Sequence, residues 1–133
     1  SEKRQKLVRV AKECRDLATE AVKPYVTLGD LAYITNQHAV DNGFSVVREI
    51  GGHSIGTEFH EDPWVPHVGR KGTLMTLVPG MTFTIEPMVN MGKPDVYTDS
   101  EDGWTVYTED NQPSAQWEYT LAVTETGVEV LSY

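Results

Sequence analysis

The chain has 133 residues, enough for one domain with a modest core. With 39% hydrophobic and 23% charged residues it is globular rather than disordered, and no run of about 18 apolar residues offers a membrane span. Net charge is −9, with eight basic against seven acidic residues in 1–50 and three against thirteen in 51–133; that imbalance argues against nucleic-acid binding, which needs a basic face, and suits attraction of metal ions or amino groups.

The N-terminal residues lead into a helical pattern and not an apolar signal core. Over 2–23, apolar residues recur at Leu7, Val10, Ala11, Cys14, Leu17, Ala18, Ala21 and Val22, the stripe of an amphipathic helix. Pro24 ends it. Cys14 lies on that stripe and reads as a buried structural thiol rather than a nucleophile. As the single cysteine it precludes an internal disulfide and fits a reducing compartment, so a cytoplasmic location is expected. Thr27, with Asp30 three residues on, predicts a capping box. Leu28, Leu31, Ile34 and Ala39 then predict a second helix, closed at Asn42 and Gly43. His38, within it, reads as a structural or surface histidine and not a ligand.

The period changes after Gly43. Residues 44–50 read as a strand. Pro63, Pro66, Gly69, Gly72 and Pro79 make 61–80 mostly loop. Residues 81–86 alternate, with Met81, Phe83 and Ile85 opposite Thr82, Thr84 and Glu86. Asp95, Asp99, Glu101 and Asp102 fall in a Gly- and Pro-bearing loop and read as solvated. A short strand is expected at 104–108. Residues 116–123 alternate again, with Trp117, Tyr119, Leu121 and Val123 opposite Gln116, Glu118, Thr120 and Ala122. Thr126 and Gly127 read as a turn before a last strand at 128–131.

Three separated side chains carry the chemical signal. His53 lies in Gly51-Gly52-His53-Ser54-Ile55-Gly56, Glu86 ends the alternating run before Pro87, and Glu118 lies inside the second alternating run. One imidazole and two carboxylates on strand-like segments make most of a ligand set for a hard or borderline divalent metal. If the two strands are neighbours, the carboxylates meet, and like charges that close need a cation or proton between them. The glycines around His53 permit the close backbone approach of a ligand-bearing loop. His60 follows seven residues later, and His60 and His67 flank an acidic, Pro-containing segment. Taken singly, each Glu reads as a solvated strand carboxylate and each His as a surface or core residue. Their combination points to metal-assisted hydrolysis.

The stretches 51–67, 78–88 and 114–120, in that order, resemble the second half of the type I methionine aminopeptidases. The likeness extends through both helices and Gly43-Phe44-Ser45-Val46-Val47-Arg48. It implies an α+β fold, half of a pita-bread fold, with two N-terminal helices packed on an antiparallel sheet. Residues 1–133 would then form a single C-terminal half-domain of a metalloaminopeptidase catalytic domain. By the same resemblance, His53, Glu86 and Glu118 match three of the family's five metal ligands. Glu86 also matches the general base, and His60 the imidazole that contacts the scissile carbonyl or its oxyanion. Phe59 and Trp104 match aromatic positions near the methionine pocket. The implied cofactors are divalent ions (Co, Mn, Fe or Zn), two in the complete family site, and the implied substrates are N-termini of peptides and nascent chains.

The departures also shape the expectation. The family's other two ligands are aspartates of its first half, which also carries another catalytic histidine. Asp16, Asp30 and Asp41 lie in or beside helices, without the family's aspartate motif. The chain therefore reads as an incomplete half, inactive or weakly active alone, that associates with the missing N-terminal half or a second copy of itself. Ser54 stands where glycine is usual, and Tyr119 where histidine usually follows the ligand Glu. On a regular strand Tyr119 points away from Glu118. Two other readings are a non-catalytic pita-bread interaction module and a proline-specific peptidase. Glu86-Pro87-Met88 and Ser114-Ala115-Gln116 fit the methionine enzymes better than the latter.

Overall fold

The computed structural model describes residues 1–48, 50–54, 61–103 and 106–132, with backbone alone at 54 and 61–63. Phe59, His60 and Trp104 lie outside the described residues. Helix α1 spans Glu2–Ala21. Ser1 Oγ caps it by accepting from the Arg4 N–H at 3.2 Å. The apolar stripe is the buried face, carrying Leu7, Val10, Ala11, Cys14 and Ala18. Leu17 departs from it and stays 38% exposed. Helix α2 spans Leu28–Asp41 and opens with the full capping box. Asp30 N donates to Thr27 Oγ1 at 3.1 Å, and Thr27 N donates to Asp30 Oδ2 at 2.9 Å. Gly43, at φ +82°, turns the chain out of the helix in a conformation that favours glycine. His38 Nε2 lies 3.1 Å from Glu13 Oε1 and ties α2 to α1, a structural role as expected.

Among the described residues, ten short strands follow: β1 Ser45–Val46, β2 Gly52–Ser54, β3 Glu61–Val65, β4 Thr82–Ile85, β5 Met88–Asn90, β6 Val96–Thr98, β7 Val106–Thr108, β8 Ser114–Gln116, β9 Tyr119–Val123 and β10 Val128–Ser132. They form an antiparallel five-stranded sheet ordered β10-β9-β4-β2-β3, a three-stranded sheet ordered β1-β5-β8 and a β6-β7 pair. The predicted strand over 44–50 shrinks to β1, the expected loop after residue 60 begins with β3, and the expected loop holding Asp95, Asp99, Glu101 and Asp102 contains β6. Strand β3 tolerates Pro63 because it is an edge strand, where a missing N–H need not break a ladder.

Two apolar clusters join helices to sheets. Ala18, Val22, Leu28 and Leu31 pack on Phe83, Ile85, Leu121 and Val123 of the five-stranded sheet. Leu7, Val10, Ala11, Cys14 and Ala39 pack with Phe44, Val46 and Val89 against the three-stranded sheet. A fully buried side chain of this kind contributes about 1.5–3 kcal/mol. The Cys14 thiol is sealed in the second cluster, where burial pushes it up to about 12, and Sγ donates to Thr35 O at 3.4 Å. Among the described residues, no helix is long and apolar enough to cross a membrane.

Candidate metal centre

The helices cover the Phe83 and Ile85 face of β4, so alternation turns Thr84 to the opposite face. There Thr84 Oγ1 accepts from the His53 N–H at 3.0 Å and donates to Glu86 Oε2 at 3.0 Å. One buried hydroxyl thus links β2 to the segment leaving β4. The close approach of β2 depends on Gly52, where a Cβ would collide with the Thr84 carbonyl oxygen.

The two carboxylates meet through register. Ile85 pairs with Tyr119 in the five-stranded sheet, and Met88 pairs with Gln116 in the three-stranded sheet. The two ladders share one register, which sets Glu86 opposite Glu118 and Pro87 opposite Trp117. Both segments, β4 to β5 and β8 to β9, cross from one sheet to the other at these positions. The run predicted as one strand over 116–123 is therefore two, β8 and β9, with Trp117 and Glu118 between them. Pro87 has no N–H with which to continue the ladder. Gln116 Nε2 instead donates to Glu86 O at 2.8 Å across the gap.

Donor atoms of His53, Glu86 and Glu118 all lie within 4.8 Å of one another. His53 is buried, Glu86 half-buried and Glu118 exposed. His53 Nε2 is 3.9 Å from Glu86 Oε2. Burial pushes the Glu86 carboxyl above its ordinary range, and the nearby Glu118 carboxylate adds to that push. The Thr84 hydroxyl and His53 oppose it. A divalent cation fits this donor set: it would neutralise two facing carboxylates and accept the imidazole nitrogen.

Sequence reasoning brought the three donors together but passed over two supports, Thr84 and His67. His67 is buried, and its Nε2 accepts from the Glu86 N–H at 3.1 Å. Its proton therefore sits on Nδ1, 3.4 Å from Ile50 O, in the segment leading to His53. Burial holds this imidazole at about 4, well below the ordinary histidine range, so it is neutral at pH 7. The only local signal was an imidazole between Pro66 and Val68, beside a strand. Tyr119 takes its place in β9 and packs against the apolar cluster, away from Glu118 as expected.

Comparison with known proteins gives the family and the fold. A family model described as metallopeptidase family M24 matches residues 1–125. Methionine aminopeptidase A of Synechocystis is 49% identical over 128 residues, which cover 96% of this chain and 50% of that protein. The crystal structure of methionine aminopeptidase from Rickettsia prowazekii superposes with a TM-score of 0.95 at 42% identity, covering 98% of this chain and 52% of that one. Prolidase from Pyrococcus furiosus superposes at 0.74 with 24% identity, a likeness of fold alone. The chain spans about half the length of the curated relatives it matches. The α+β, half-pita-bread expectation thus holds for the fold. With the match running over nearly the whole chain and a three-donor cluster on its sheet, the chain belongs to metallopeptidase family M24.

Proposed function

We propose that this chain supplies His53, Glu86 and Glu118 to the metal centre of an aminopeptidase that releases methionine from the N-termini of peptides and nascent proteins in the cytoplasm. The observation that carries the reading is the convergence of the three donors within 4.8 Å. The high identity to methionine aminopeptidases supports the substrate class. The donor chemistry suits Mn, Fe, Co or Zn, with two ions in the complete site. Three donors leave coordination positions for further ligands, which an N-terminal half like that of the relatives or a second copy of the chain would supply. The reading treats 1–133 as the C-terminal half-domain of the catalytic unit.

Bound divalent ions would supply Lewis acidity and a lowered water pKa. Glu86 takes up the proton released during attack. Thr84 holds one Glu86 oxygen by donating to it. His60 steadies the negative charge that develops on the scissile carbonyl oxygen. Phe59 and Trp104, by their match to the family's aromatic positions, would bind the methionine side chain. Retention of all three donors favours a peptidase over a pure interaction module.

The test is calorimetric titration of the metal-free chain with Co²⁺, alone and mixed with the N-terminal half of a related methionine aminopeptidase. The mixture should release methionine from Met-Ala-Ser. Glu86→Gln and Glu118→Gln should each weaken Co²⁺ binding by about 100-fold or more. A well-folded mixture that binds Co²⁺ but cleaves nothing would overturn the peptidase reading.

A further inference from the structure

Arg15 is a charged residue on the buried face of α1, only 5% exposed. A buried guanidinium is costly unless its donors and faces are occupied. Asp16 Oδ1 accepts from both Nε at 3.1 Å and Nη2 at 2.9 Å. The flat face of the group lies on Tyr119, with Cζ 3.6 Å from the ring centroid, and 5.3 Å from the centroid of Trp117. Those two rings flank Glu118 in the chain.

The place matters because of the register described above. Trp117 and Glu118 belong to no strand, since the chain is crossing from β8 to β9 there. No strand pairing fixes the backbone of Glu118 at the crossing, opposite Glu86. Both neighbouring rings meet one guanidinium on α1, so the residue between them is turned to the other side, toward His53 and Glu86. A planar cation suits this task better than an ammonium, because it covers an aromatic face while its edge bonds a carboxylate.

We infer that Arg15 is a positioning residue for the Glu118 carboxylate, acting through its stack on Tyr119 and Trp117. It touches no reacting group itself. The inference rests on the metal-centre reading for its consequence, while the clamp can be tested without metal.

The first readout is amide hydrogen exchange in the full metal-free chain. Arg15→Met should speed exchange at Glu118 and Tyr119 about tenfold, and leave the central amides of α1 unchanged. Arg15→Lys, which keeps the charge and loses the plane, should fall between Arg15→Met and wild type. The second readout is Co²⁺ affinity, which should weaken about tenfold in Arg15→Met at unchanged stoichiometry. Should Arg15→Met fail to fold, Tyr119→Leu removes the stack from the other side and should give the same two effects. Wild-type exchange rates in the variants would overturn the clamp. Faster exchange with wild-type Co²⁺ affinity would make the stack structural only and overturn the positioning role. If the wild-type chain takes up no Co²⁺, the metal reading fails and exchange alone decides the clamp.

Discussion

Along Thr82–Ile85, β4 runs between β2 and β9 with Phe83 and Ile85 sunk into the apolar cluster, whereas one residue further the pairing stops and two carboxylates face each other. The first region is held by nonspecific burial and ladder hydrogen bonds. The second is held by a few single contacts: Thr84 on Glu86 and His53, His67 on the Glu86 N–H, Gln116 on the Glu86 carbonyl, and Arg15 beneath Trp117 and Tyr119. The site lies where regular structure ends, because a carboxylate pair needs room for a cation that a closed ladder would not leave. Stability and ligand placement should therefore respond to different substitutions.

The largest separation is expected from Phe83→Ala. It removes a 1%-exposed ring from the core and should cost about 3–5 kcal/mol, read from urea unfolding of the metal-free chain. If so much stability is lost without broad loosening of the β4–β9 amides, the two regions are less distinct than described.

A middle-sized effect should come from pH acting on His67. Its folded-state pKa, about 4, lies below the unfolded value near 6.5. Protons then bind the unfolded chain first. The contribution is complete above pH 6.5 and is lost as pH falls toward 4, by on the order of 3 kcal/mol. Unfolding of the metal-free chain at pH 7, 6 and 5 should show that decline, and His67→Asn should flatten it. A decline equally steep in His67→Asn would assign it to other groups.

The smallest effect on stability sharpens the comparison most. Thr84→Val keeps the shape of a buried side chain and should lower stability by about 1 kcal/mol. It also strips an acceptor from the His53 N–H and a donor from Glu86, so Co²⁺ affinity should fall about tenfold. Equal Co²⁺ affinity in wild type and variant would show that Thr84 serves packing alone.

What could be read in the sequence was local. The 3.6-residue stripe fixed α1, and Thr27 with Asp30 announced the start of α2 before any contact was known. Alternation set Phe83, Ile85, Leu121 and Val123 on one face, and they form the core. The same alternation and motifs picked out His53, Glu86 and Glu118. The motifs also picked out His60, Phe59 and Trp104, which lie outside the described residues.

Thr84, His67 and Arg15 escaped that reading because each acts on a partner far along the chain. Thr84 looked like any polar strand residue, and His67 like a lone histidine. Arg15 sits in a run of helical charges, although a basic residue beside the buried Cys14 was a signal that could have been used. Periodicity is a property of one segment and depends only on local geometry. Register depends on which two segments pair and at which residues, and tertiary structure alone set Glu86 opposite Glu118. The amino-acid order determined the helices, the core faces and the donor types. The pairing of two sheets across Pro87 decided that the donors meet, because only there does the backbone leave one sheet for another with both carboxylates at the same level.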